Sequence, residues 1–134
     1  MRRAAPALML ALGACAQQVP PAPQGYRPPP PPTESFRTVT LAADYAAVRA
    51  GLEQVGATCW LDAELQAANM LVDRQSGNVT FFTDAGKILT ADIVALSSAS
   101  TDVRLIGTAI EAPGRFERMQ SSLGRTIASG APAC

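Results

Sequence analysis

The chain has no histidine and only one lysine, Lys87, among its 134 residues. Without an imidazole, Ser-His and Cys-His activation of a nucleophile are excluded, as are histidine-ligated metal sites. A Ser-x-x-Lys pairing that could replace them is also missing. Neither sign of charge is in excess: 11 Lys+Arg balance 11 Asp+Glu without long runs, which gives nucleic acid no electrostatic footing. Aromatic residues make up 5% of the chain, too few for an extended stacking surface. The apolar run Ala4 to Leu12 ends after roughly ten residues, short of the ~20 that a membrane-spanning helix needs. Gly77 to Lys87 departs from phosphate-loop spacing, with Ile88 standing where a hydroxyl is required. No dense Asp-x-Asp-x-Asp loop offers oxygen ligands to a hard cation. No catalytic residue, cofactor or metal is expected from this pattern.

What is present begins with an address. Met1-Arg2-Arg3 is a basic start, the run to Leu12 is apolar, and Leu12-Gly13-Ala14-Cys15 follows. A positive start before an apolar stretch of 7–15 residues is the pattern of a secretory signal. Together with Leu, two small residues and Cys, the segment resembles the signal of bacterial lipoproteins. The resemblance implies cleavage after Ala14, a diacylglyceryl thioether on Cys15 and an acyl chain such as palmitate on the new amino terminus. By the sorting rule of that family, Ala16-Gln17 after the lipidated cysteine favours the outer membrane of a Gram-negative host, facing the periplasm. The partner implied by residues 1–15 is therefore a membrane.

Eight of the 11 prolines lie between Pro20 and Pro32, so the foldable domain is shorter than the chain. Fixed φ and absent N–H groups exclude helix and sheet there and leave polyproline II. Residues 15–35 are read as a lipidated, disordered, proline-rich stalk reaching roughly 50–60 Å at about 3.1 Å per residue. Tyr26-Arg27 between prolines offers a second use, as a docking motif for an aromatic groove.

Residues 36–134 carry the head domain. Arg37 to Leu41 has the make-up of a short strand. Asp44 caps a segment with Tyr45, Val48, Leu52 and Val55 at helical spacing, and Gly56 stands where a helix ends. Four strand-like runs follow: Asn69–Asp73, Val79–Thr83, Lys87–Leu96 and Asp102–Ile110, separated by short turns as in an antiparallel meander. Phe116, Met119, Leu123 and Ile127 then form one stripe of a helix that Gly130 closes. The expected fold is α+β with two layers: a four-stranded antiparallel meander with an N-terminal and a C-terminal helix on one face.

Once Cys15 is lipidated, Cys59 and Cys134 remain, and in an oxidising compartment an even pair in a small domain reads as a disulfide. Closing so long a loop is valued at roughly 4–5 kcal/mol by the chain-entropy model. Two acidic pairs, Asp62 with Glu64 and Asp92 with Asp102, are weighed as acid–base partners against solvated surface groups, with Asp92 also able to face Arg104. Arg115, Arg118 and Arg125 cluster on the last helix, either as a solvated face or as contacts for anionic glycan or lipid.

The more informative pattern lies in the strands. Phe81 and Phe82 are adjacent and must point to opposite faces. Lys87–Leu96 carries Leu89, Ala91, Ile93 and Ala95 on one side but Ile88, Val94 and Leu96 on the other. Asp102–Ile110 repeats this, with Ile106 and Ile110 opposite the core side. If both helices share one face, Val94, Ile106 and Ile110 mark a candidate partner surface, unless Phe36–Leu41 or Cys59–Leu65 covers it. The expectation is a lipid-anchored, non-enzymatic adaptor that binds another envelope protein. The alternative is a binder of small ligands, lipid or peptidoglycan fragments.

Overall fold

The computed structural model describes residues 35–134; the signal region, Cys15 and the proline-rich stretch lie outside the described residues. Among the described residues no helix is long and apolar enough to cross a membrane. The domain starts on a strand. β1 spans Phe36–Leu41, and α1 spans Tyr45–Val55. A wide-turned π-helical segment runs over Gly56–Glu64, followed by β2 (Asn69–Val72), β3 (Val79–Thr83), β4 (Gly86–Ser97) and β5 (Ser100–Ile106). A short 3₁₀ turn at Thr108–Glu111 leads to α2, Arg115–Ser129. The α+β class is as expected, but the antiparallel sheet has five strands instead of four, in the order β1-β5-β4-β3-β2.

The fifth strand changes the topology. β1 pairs antiparallel with β5 through six consecutive residue pairs, and β2 lies at the other edge. Because every neighbouring pair is antiparallel, β1 and β2 run in the same direction at opposite edges. Parallel strands require a crossover. Four strand spacings of ~4.8 Å make that crossing about 19 Å. α1, which packs on β4 and β5, and the π segment, which reaches β2, make that crossing over one face of the sheet.

α1 begins where Asp44 accepts a hydrogen bond from the Ala47 N–H at 2.8 Å, satisfying one of the free first-turn donors. It does not stop at Gly56, which has ordinary helical dihedrals (φ −60°, ψ −48°). The helix widens instead, and the Leu65 N–H reaches back five residues to the Trp60 carbonyl at 2.7 Å. Widening turns the consecutive residues Cys59 and Trp60 both inward, at 3% and 0% exposure. Trp60 then packs on Phe81 with ring centroids 5.9 Å apart, a pair worth about 0.5–1.5 kcal/mol beyond its burial.

The core is a single cluster. Val39 and Leu41 of β1, Val79 and Phe81 of β3, Leu89 and Ala91 of β4, and Val103 and Leu105 of β5 share one sheet face, as their register requires. Onto that face pack Val48, Leu52 and Val55 of α1, Trp60 of the π segment, and Phe116, Met119 and Leu123 of α2. Both helices therefore lie on the same side. They meet closely where Gly51 of α1 faces Ile127 of α2; a Cβ on Gly51 would lie 2.6 Å from Ile127 Cγ1.

Candidate functional site

The opposite sheet face carries the candidate surface, and the register defines it row by row. Phe36, Ile106, Thr90, Thr80 and Leu71 follow one another across all five strands. Beside this row lie Thr38, Arg104 and Asp92, then Thr40, Asp102 and Val94. Phe82, opposite Asn69, adds one aromatic ring. Phe36 and Leu71 are each 63% exposed, and Phe82 is 37% exposed. Neither segment expected to cover this face does so. Phe36–Leu41 is an edge strand, and Cys59, Trp60 and Leu65 are buried on the helix side.

Of the three surface residues expected from sequence, Val94 and Ile106 lie on this face. Ile110 does not: it is 6% exposed and belongs to the core. The strand pattern ends at Gly107, whose φ of 141° breaks β5 and starts the 3₁₀ turn that drives Ala109 and Ile110 under α2. Ile88 also leaves the face. The pairing shifts from Phe81–Leu89 to Phe82–Lys87, so Ile88 is the extra residue of a bulge and packs against the core. Phe36 and Leu71 were missed. Leu71 alternates with the core-facing Met70 and Val72, and that phase was the available signal.

The face is mixed in chemistry. Asp92 stands opposite Arg104, while Asp102 accepts a hydrogen bond from the Thr40 hydroxyl at 2.7 Å. The two aspartates are thus diagonal neighbours across β4 and β5. The Thr90 hydroxyl, between Ile106 and Thr80, is buried without a hydrogen-bond partner.

The expected disulfide is present. Cys59 and Cys134 are bonded, with Cα atoms 5.2 Å apart across a sequence separation of 75. It borders a cleft of about 330 Å³ between the π segment and α2, lined by Trp60, Glu64, Glu117, Arg118, Ser121 and Arg125 among others. Buried Trp60 Nε1–H donates to Ser122 Oγ at 2.9 Å. Arg118 grips both carboxylate oxygens of Glu64 at 2.7 and 3.0 Å, and this hydrogen bonding to Glu64 raises the guanidinium's pKa. Arg115 Nε lies 3.7 Å from Glu64, and its Nη1–H donates to the Ala109 carbonyl at 2.9 Å. Arg125 donates to Ser121 Oγ and to the Cys134 carbonyl, both at 2.6 Å. The three arginines are thus engaged in holding the π segment, the 3₁₀ turn and the tail. Asp62 is exposed and has no part in this network, so it does not pair with Glu64.

Among the described residues no three Cys, Asp or Glu side chains are grouped to hold a metal ion. No protein-family model matches the chain. No curated protein matches it in sequence.

Proposed function

We propose that this chain is a lipid-anchored protein of the bacterial envelope, facing the periplasm, whose head domain is a non-enzymatic adaptor that docks another envelope protein on its uncovered sheet face. One observation carries the docking surface. On a sheet otherwise covered by helices, the other face leaves Phe36 and Leu71 63% exposed at the two ends of a continuous five-strand row. Contiguous exposed apolar surface marks partner sites, and Ile106, Val94 and Phe82 share this face with the two end residues. Lipidation at Cys15 and the proline-rich spacer of residues 15–35 rest on the sequence pattern.

In-cell crosslinking of the anchored protein, followed by identification of what is captured, tests this reading. One envelope protein should be captured in near-equal amount. Cys15→Ser, without its lipid, should lose it, and Ile106→Asp or Val94→Asp should weaken capture while the domain stays folded. Equal capture by all four proteins, or none by the anchored one, would sink the adaptor reading.

A small-ligand role is the second reading, and the cleft beside the disulfide supports it. Its arginines are already held by Glu64, Ser121 and the Cys134 carbonyl, so a ligand would have to displace existing bonds. A rise in melting temperature with peptidoglycan fragments or envelope lipids would favour it.

A further inference from the structure

In an antiparallel strand each residue turns its N–H and C=O to the same side, alternately toward one neighbour and the other. The Gly107 N–H donates to the Ser35 carbonyl at 2.9 Å, so Ser35 faces β5. By alternation Arg37, Val39 and Leu41 do too. Phe36, Thr38 and Thr40 therefore turn their N–H and C=O groups outward, away from the sheet. Proteins usually blunt such an edge with proline, a bulge, clustered charge or a very short strand. β1 has none of these: its six pairs with β5 are unbroken, and its sequence FRTVTL is made of β-forming residues apart from Arg37. That one charge is already engaged, 4.7 Å over the Phe116 ring and 3.2 Å from Glu117. The other edge, β2, is four residues long.

We infer that β1 pairs antiparallel with β1 of a second copy about a two-fold axis at Thr38, joining the two sheets into one. A second copy fits because the edge is self-complementary. With Thr38 opposite Thr38, Phe36 of each copy meets Thr40 of the other, and every outward N–H finds an outward C=O. Charge also permits it. Among the described residues the one ionic side chain of β1, Arg37, is closed in a pair with Glu117. The pairing sets the row of Phe36 and Ile106 against the Thr40–Asp102–Val94 row of the other copy, and it would present the proposed docking face twice. It is independent of what that face binds.

The test uses the full chain carrying Cys15→Ser, so that lipid-driven micelles cannot imitate a dimer. Sedimentation from micromolar to millimolar concentration is combined with amide hydrogen exchange. The expected result is a mass rising to twice that of one chain, with exchange at Phe36, Thr38 and Thr40 slowing as the dimer fills. Thr38→Pro removes an outward N–H, and Thr38→Lys sets like charges face to face at the axis. Each should weaken association at least tenfold. If Thr38→Pro fails to fold, Thr38→Lys still decides, because it leaves the backbone donor in place. A monomer at every concentration would overturn the inference. So would a dimer whose three outward amides exchange freely, or a Thr38→Lys protein that associates as well as the parent.

Discussion

Removing the Cys59–Cys134 bond tests whether the bridge acts on the unfolded chain or on native contacts. For a separation of 75 residues, loop closure removes chain entropy worth about 4.5 kcal/mol at 25 °C, an upper value if the unfolded chain keeps residual structure. The structure indicates which cysteine to change. Cys59 is 3% exposed and packs in the core, whereas Cys134 is exposed. Cys134→Ser therefore leaves the buried packing intact. The tail keeps other attachments, with the Ala133 N–H on Thr126 Oγ1 at 3.0 Å and Arg125 on the Cys134 carbonyl. Urea unfolding of the full chain carrying Cys15→Ser, with and without Cys134→Ser, should show a loss of about 3–4.5 kcal/mol. The melting temperature should fall by roughly 15–30 °C. The denaturant slope should steepen, because a freed chain exposes more surface on unfolding. A loss below about 1 kcal/mol with an unchanged slope would refute the loop-entropy account. A large loss accompanied by faster native-state exchange along α2 would move the effect to native contacts.

Gly107→Ala should cost about 2–4 kcal/mol in urea unfolding, because φ is 141° and the new Cβ would lie 2.3 Å from the Ile88 carbonyl oxygen; a neutral result would mean that the β4–β5 contact yields easily. Trp60→Phe should cost about 2–3 kcal/mol by opening space in the core and removing the indole bond to Ser122, checked by the same assay. Asp73 is held below the usual carboxylate range, chiefly by the Gln75 N–H and then by Ser76. Glu117 is held low first by its own backbone N–H in the first turn of α2 and then by Arg37. Since folding lowers both pKa values, their contribution is complete above the ordinary carboxylate pKa of about 4 and is lost as pH falls through the native values. Melting temperature should therefore decline from about pH 4 downward, and Asp73→Asn with Glu117→Gln should flatten that decline; an unchanged acid limb would contradict it. Leu105→Asp should abolish folding, whereas its neighbour Ile106→Asp should change stability by no more than about 1 kcal/mol, read by circular dichroism and urea.

The parts of the fold legible in sequence were those with one dominant cause. Asp44 at the start of α1, the stripe Phe116-Met119-Leu123-Ile127, and the opposed Phe81 and Phe82 follow from a cap or a period. The cysteine pair followed from counting in an assumed oxidising compartment. What stayed hidden depends on partners distant in the chain. Phe36–Leu41 looks weak alone because its pairing is with β5, from Leu41 with Thr101 to Phe36 with Ile106, far away in sequence. Gly56 resembles a helix end, yet tertiary demand for both Cys59 and Trp60 in the core continues the turn. On the candidate surface, Val94 and Ile106 were found by alternation. Ile88 and Ile110 were misplaced because a bulge and a glycine break reset the phase without changing the composition.

The uncovered face follows from the topology as well as from the side chains on it. One crossover joins edge strands that run the same way, so α1 and the π segment must share a face, and Gly51 with the disulfide draws α2 to that side. Nothing in the described chain is left to cover the other side. A face meant to be permanently buried in a partner would not carry Asp92, Asp102 and Arg104 in adjacent rows. A face meant only for water has no use for Phe36, Leu71 and Phe82 standing partly or mostly exposed. Mixed composition of this kind, apolar anchors among threonines and single charges, is what separable interfaces share, since each partner must also be stable alone in water. Under the proposed function, this composition makes the docking reversible, with affinity concentrated at a few large side chains.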